Sequence, residues 1–199
     1  KFPHIEGGEN SRLDAILEAN GDEKSIESTG VLLSPSRELI CCSFGLLKPY
    51  LLVSQGLLQR LSDSEIQAAL AHELGHIQRR DRWMDLFLVT LRHIVFFNPV
   101  VHLVSRRLRL ESEMAADDMA LGRGLDRFTY AQALVSVSRL SAGHRVSQLS
   151  CSSFSAAALA LRKRVEHVLD HSTTPGHSLQ RRLPAPMAAF LLVALFFLC

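Results

Sequence analysis

A chain of 199 residues is long enough for one domain with a real core, and two domains would be cramped in it. Lysine and arginine total 22 against 20 aspartates and glutamates, which excludes a globally basic nucleic-acid-binding protein. The four cysteines are neither a disulfide framework nor paired CxxC zinc ligands, since Cys41 and Cys42 are adjacent, Cys151 is isolated and Cys199 stands alone in an apolar run; a reducing compartment is the expectation.

Residues 1–30 are polar, with seven acids against three bases, and admit one short helix near Asn10–Ala19. No charged-then-apolar leader follows Lys1, so no signal peptide is expected. From Val31 to Val53 the runs "VLLS", "ELICCSF" and "YLLVS", broken by Pro35, Gly45 and Pro49, predict two or three short strands. Helices follow almost throughout. Ser62 and Glu65 form a capping box, with Leu61 and Ile66 as its hydrophobic staple, and this helix should run to about Arg80.

Asp81 is read as the cap of a second helix with the body "WMDLFLVTLRHIVFF", apolar nearly all round and therefore expected in the core, with the bilayer surface as the alternative. Asn98-Pro99 caps a third helix that continues to Gly122. Two more are expected near Arg127–Ser141 and Ser155–Asp170. Residues 106–199 hold twelve bases against seven acids, which fits either a face near anionic lipid or ordinary solvated helices. The domains read as an acidic segment 1–30, a metallopeptidase domain 31–172, a linker 173–185 and the start of a transmembrane helix at 186–199. That last segment holds "MAAFLLVALFFLC", which spans only about 20 Å as a helix, and Arg181 and Arg182 before it place the preceding domain in the cytoplasm.

The chemistry lies in "AHELGHIQRRD". On a helix, His72 and His76 project from one face, one turn apart, and both imidazoles can reach one tetrahedral Zn²⁺. Glu73 is rotated about 100° from His72, away from the ligand position, and suits a general base for water at the metal. Leu70, Leu74 and Ile77 form the core-facing stripe. The third helix offers Glu113 as the remaining ligand, and Asp117, one turn later, as acceptor for an imidazole's second N–H. The competing reading makes Glu111, Glu113, Asp117 and Asp118 a solvated face paired with Arg106, Arg107 and Arg109.

"HELGH" followed by "EMAAD" resembles the membrane-associated gluzincin metallopeptidases. The stretches 44–81 and 96–121, together with "LRKRVEHVL", most resemble the BlaR/MecR-type family, in which a cytoplasmic zinc protease domain lies between membrane helices of a sensor-transducer; the HtpX-type endopeptidases share the two short motifs. Ala116 departs from the cysteine frequent before the aspartate in that family and leaves the ligands intact. The resemblance implies an α+β, mainly helical zincin-like fold with a small edge sheet, one zinc held by His72, His76 and Glu113, Glu73 as base and later acid, and Asp117 behind the ligands. It implies a zinc endopeptidase acting on a protein or peptide, either a transcriptional repressor or the chain itself, with a substrate lying along the strand near Tyr50–Ser54. A quality-control endopeptidase and a non-catalytic zinc-bearing transducer are the alternatives. The implied partners are a substrate and a membrane, not nucleic acid; self-cleavage and homo-oligomers stay open. For an oxyanion donor, His144, His167, His171, His177 and Tyr130 are positional candidates better read as surface or structural residues. His93 and His102 are read as packed or hydrogen-bonded, and Arg162-Lys163-Arg164 as a solvated face.

Overall fold

The computed structural model describes residues 12, 13, 15–17, 29–145 and 151–170, with backbone alone for 140–145 and 151–156. Its elements in chain order are β1 (Gly30–Ser34), β2 (Cys41–Phe44), β3 (Tyr50–Ser54), α1 (Gln55–Arg60), α2 (Asp63–Arg79), α3 (Asp81–Ile94), α4 (Pro99–Leu121), α5 (Arg127–Arg145) and α6 (Cys151–Leu169). The architecture is mainly helical with one three-stranded sheet. The strand order is β1-β3-β2, with β3 parallel to β1 and antiparallel to β2. This corrects the expected substrate strand: both edges of Tyr50–Ser54 are taken by neighbours, and β2 is the edge strand that packs on α2.

Helix α2 is the axis of the domain, contacting α3, α4, α5 and β2. Ile66 and Leu70 enter one apolar cluster with Leu51, Val53, Leu57 and Leu58, and Leu13, Ile16 and Leu17 from the N-terminal segment join it. Ala68 and Ala71 enter a second cluster with Ala120, Tyr130, Ala131, Ala133 and Val168. Small side chains on this second face let α4 and α5 approach α2 closely. Gly75 is the extreme case, because a Cβ there would lie 3.2 Å from the Ala116 carbonyl oxygen and 3.4 Å from its Cα.

The helix starts follow local chemistry. Ser62 Oγ accepts from the Glu65 N–H at 3.4 Å and the Glu65 carboxylate accepts from the Ser62 N–H at 3.0 Å, closing the capping box. Asn98 caps α4 through Val100, with Pro99 in the first turn. Short α1, for which no separate helix was expected ahead of the Ser62 cap, is capped by the buried Ser54.

Two expectations are corrected. Arg80, not Asp81, is the N-cap residue of α3, and it sits in the left-handed region at φ 56°, so the chain turns sharply there. Helix α3 is not a core helix: Leu88 is its buried residue, while Trp83, Leu86, Val89 and Ile94 are exposed. Among the described residues no helix is long and apolar enough to cross a membrane. The run 187–199, on which the membrane helix was expected, lies outside them, as do His171, His177 and the side chain of His144.

Ser62→Ala should lower stability by about 1 kcal/mol through loss of the cap, read as an earlier midpoint in urea; an unchanged midpoint would remove the box from the account of α2.

Candidate metal centre

Regular α-helical geometry between Asp63 and Arg79 carries His72 and His76 to one face, with Nε2 atoms 3.2 Å apart. The close α2–α4 crossing at Gly75 brings Glu113 to the same point: Glu113 Oε2 lies 3.3 Å from His72 Nε2, and Oε1 lies 3.7 Å from His76 Nε2. One ligand atom from each of the three residues lies within 4.8 Å of the others.

A tetrahedral ion bound at about 2.0–2.1 Å has ligand–ligand edges of roughly 3.3 Å, which matches the two shorter separations. The donor set also fits chemically. Each imidazole donates Nδ1–H to a carboxylate, His72 to Asp117 Oδ1 at 3.0 Å and His76 to Asp81 Oδ2 at 2.7 Å. In the neutral tautomers both Nε2 lone pairs then face one point, an arrangement that repels itself unless a cation or proton lies between.

Asp117 is fully buried, with 0% exposure. Its Oδ1 accepts from Tyr130 Oη at 2.7 Å and Arg164 Nη2 at 2.7 Å, and its Oδ2 accepts from Arg164 Nε at 2.8 Å. Arg164 also reaches Glu113 Oε2 through Nη1 at 2.9 Å, so one guanidinium braces both acids of α4. Asp81 is held in the same manner by Ser112 Oγ at 2.9 Å and Arg79 Nε at 3.2 Å.

These contacts set the protonation of the metal-free chain. Burial opposes charge on His72, but its bonds to Asp117 and Glu113 outweigh that and raise its pKa to about 9. Burial pushes the Glu113 carboxyl up, yet His72 and then Arg164 overcome it and hold it at about 2. Asp117, also resisted by burial, is held well below the usual carboxylate range by Arg164 and His72. The Tyr130 hydroxyl is pushed well up by burial and by Asp117, so it stays a donor.

Glu73 is separated from these contacts and held by the sheet. Ser43 of β2 donates to its Oε2 from both the backbone N–H and Oγ, each at 2.8 Å, and Arg82 Nη2 donates to Ser43 Oγ at 3.0 Å. A cleft of about 660 Å³ opens beside these groups, lined by Ser43, Phe44, Leu46, His76, Arg82 and Trp83. Ile77, expected on the core stripe with Leu70 and Leu74, is half-buried and lines this cleft instead.

Four of these participants were misread or missed in the sequence. Asp81 stands five residues after His76, a spacing that faces away on a continuous helix; only the left-handed turn at Arg80 swings it back. Arg164, read as part of a solvated run, points inward while Arg162 and Lys163 are exposed. Its signal was its spacing, for Leu161, Arg164, Val165 and Val168 share one helix face. Tyr130, a candidate oxyanion donor, instead gives its hydroxyl to Asp117. Ser43 carries no sequence signal. His167 binds Asp118 at 2.8 Å, and His93 and His102 bind backbone carbonyl oxygens. Of the competing acidic face, Glu111 does pair with Arg107, whereas Glu113 and Asp117 turn inward.

Comparison with known proteins accords with this geometry. The family described as BlaR1 peptidase M56 matches residues 5–168. The chain belongs to that family. Among curated relatives, the regulatory protein BlaR1 of Bacillus licheniformis is 27% identical over 134 residues, covering 66% of this chain and 22% of that protein. The methicillin resistance mecR1 proteins of Staphylococcus aureus (strain Mu50 / ATCC 700699) and Staphylococcus epidermidis are each 21% identical over 145 residues, covering 71% of this chain and 24% of theirs. The chain thus spans less than a quarter of the length of these relatives.

Two outcomes are expected. His72 stabilises the metal-free fold fully below its ordinary value of 6.5 and loses that contribution as pH rises through about 9. Glu113 stabilises it above 4.5 and loses that contribution as pH falls through about 2. In chelator, thermal stability should therefore fall between about pH 6.5 and about pH 9, and added metal should reverse that fall by taking the place of the lost His72 proton. A stability that rises over this interval in chelator would contradict the protonated His72. Secondly, Gly75→Leu should wedge α4 from α2 and weaken metal affinity about tenfold or more while helix content by circular dichroism is kept; unchanged affinity would show that the close crossing does not position Glu113.

Proposed function

We propose that this chain is the peptidase portion of a membrane sensor-transducer, a zinc endopeptidase acting at the cytoplasmic face on a protein substrate. The observation that carries the reading is the convergence of His72, His76 and Glu113 within 4.8 Å on rigid helices, next to a glutamate held by a strand edge. His72, His76 and Glu113 would hold Zn²⁺, which when bound supplies Lewis acidity that makes water easier to deprotonate and balances charge developing on a scissile carbonyl.

The chain's own groups do the rest. Glu73 takes the proton of the attacking water on its carboxylate and hands it to the leaving amine, serving as base and then acid. Asp117 and Asp81 hold the two Nδ1–H groups, which keeps both Nε2 atoms turned toward the ligand position. Arg164 braces Glu113 and Asp117, so neither ligand-bearing helix needs to reorganise during turnover. An extended peptide would pair with the β2 edge, whose Ser43 N–H now serves Glu73. The intact Glu73 favours hydrolysis over signalling by a non-catalytic domain. The name of the Bacillus relative, a regulatory protein, supports a regulatory substrate, namely a transcriptional repressor or the chain itself. The apolar run 187–199 would supply the membrane attachment.

Elemental analysis of purified wild type should find about one zinc per chain, diminished in Glu113→Ala and retained in Glu73→Ala. Peptidase activity should fall by about 10²–10⁴ in Glu73→Gln. A folded wild-type sample without zinc, prepared free of chelator, would overturn the reading; a zinc-loaded Glu73→Gln variant of full activity would remove Glu73 from the chemistry.

A further inference from the structure

The α3–α4 hairpin carries an apolar surface that none of the described residues covers. Trp83 is 48% exposed, Ile94 69%, Phe96 69%, Phe97 66% and Leu103 68%. They are not scattered. On α3, Trp83, Leu86, Thr90 and Ile94 follow helical spacing along the outer face, while Leu88 and Val95 take the buried one. Phe96 and Phe97 form the tip, and Val100 and Leu103 continue the surface one turn apart along α4. A continuous apolar face of this kind on a soluble surface marks a binding site.

The charges around it indicate the occupant. Arg92, Arg106, Arg107 and Arg109 are exposed on the same hairpin. Of the acids on α3 and α4, Asp81, Glu113 and Asp117 turn to the metal centre and Asp118 to His167, while Asp85 and Glu111 each face one of those arginines. Arg92 and Arg106 add positive charge beyond those pairs. An apolar stripe ending in two phenylalanines, bordered by arginines and a tryptophan, suits insertion into the headgroup region of an anionic bilayer. A peptide groove would need concavity, and this face is the convex outside of two helices and their tip.

We propose that the outer face of the α3–α4 hairpin docks on an anionic lipid surface. Trp83 belongs both to this face and to the cleft beside Ser43 and His76, and the exposed Leu46 and Leu47 line the same cleft. Docking therefore sets the cleft mouth at headgroup level. The inference rests on the membrane location proposed above and is independent of whether the centre hydrolyses peptides.

Trp83 is the only tryptophan in the chain, so its fluorescence reports this face alone. The experiment mixes the 199-residue chain with vesicles of phosphatidylcholine, with and without phosphatidylglycerol, some carrying lipid brominated near the top of the acyl chain. On the phosphatidylglycerol vesicles, emission should shift to the blue and be quenched by bromine, and raised salt should weaken both effects. A Phe96→Asp, Phe97→Asp double variant, shown to be folded by circular dichroism, should bind about tenfold or more weakly. If the chain floats with vesicles while Trp83 stays open to an aqueous quencher, another segment anchors it and this face is not the docking surface. If Trp83 is shielded without lipid in a species that sediments as a dimer, a second copy covers the face and the inference fails. If neither vesicle binds the chain, the inference falls together with the membrane location, leaving the zinc measurements untouched.

Discussion

A carboxylate with no solvent exposure, Asp117, joins four helices at one point. It sits on α4 and takes bonds from His72 of α2, Tyr130 of α5 and a two-pronged guanidinium from α6. Burying that charge without partners would cost far more than any single contact returns, so the four helices must meet in one register to satisfy it. The same register fixes the rest of the site. Glu113 stands one turn before Asp117, shares Arg164 with it, and is carried to the histidines by the close contact of Gly75 with Ala116. The position of the third candidate ligand is thus a consequence of how a neighbouring charge is neutralised.

The centre is organised as two imidazoles, each backed by its own acid. Asp117 backs His72 from the interior and Asp81 backs His76 from the α2–α3 corner. The three carboxylates gathered there, Glu113, Asp117 and Asp81, suit a cation and, in its absence, a proton on His72, which is the sense of that residue's raised pKa. Glu73 is kept apart from this network by the sheet, through Ser43. A base that shared Arg164 with the acids of α4 would be less free to move a proton; its separate tether leaves it available. Folding, protonation and the proposed chemistry therefore draw on the same few hydrogen bonds.

Helix α3 shows how a local pattern can be read in two ways. Leu88 and Val95 on one side and Trp83, Leu86 and Ile94 on the other are all apolar, so the apolar arc of α3 is wider than the strip its neighbours bury. Burial is decided by what the neighbouring helices leave open, and α4 packs on one side of α3 only. Arg164 shows the converse. Its three-residue basic run looks like solvated surface, but its place among Leu161, Val165 and Val168 turns it inward toward two acids on α4.

What the sequence determined by itself was whatever depends on short range. The 3.6-residue period put His72 and His76 on one face and Glu113 one turn from Asp117, and the Ser62–Glu65 box and Asn98-Pro99 set where helices begin. The match of "HELGH" and "EMAAD" to a peptidase family was legible for the same reason, since each motif lies within a single helix. Tertiary structure alone decided which strands are the edges, which face of α3 is bare, and that Asp81, Tyr130, Arg164 and Ser43 belong to the site. Those contacts join residues whose meeting depends on a left-handed turn at Arg80 or on the crossing of α2, α4, α5 and α6. Local spacing could turn Arg164 inward but could not name what it meets, because a buried charge selects its partners by where the helices cross and not by how far apart they stand in the chain.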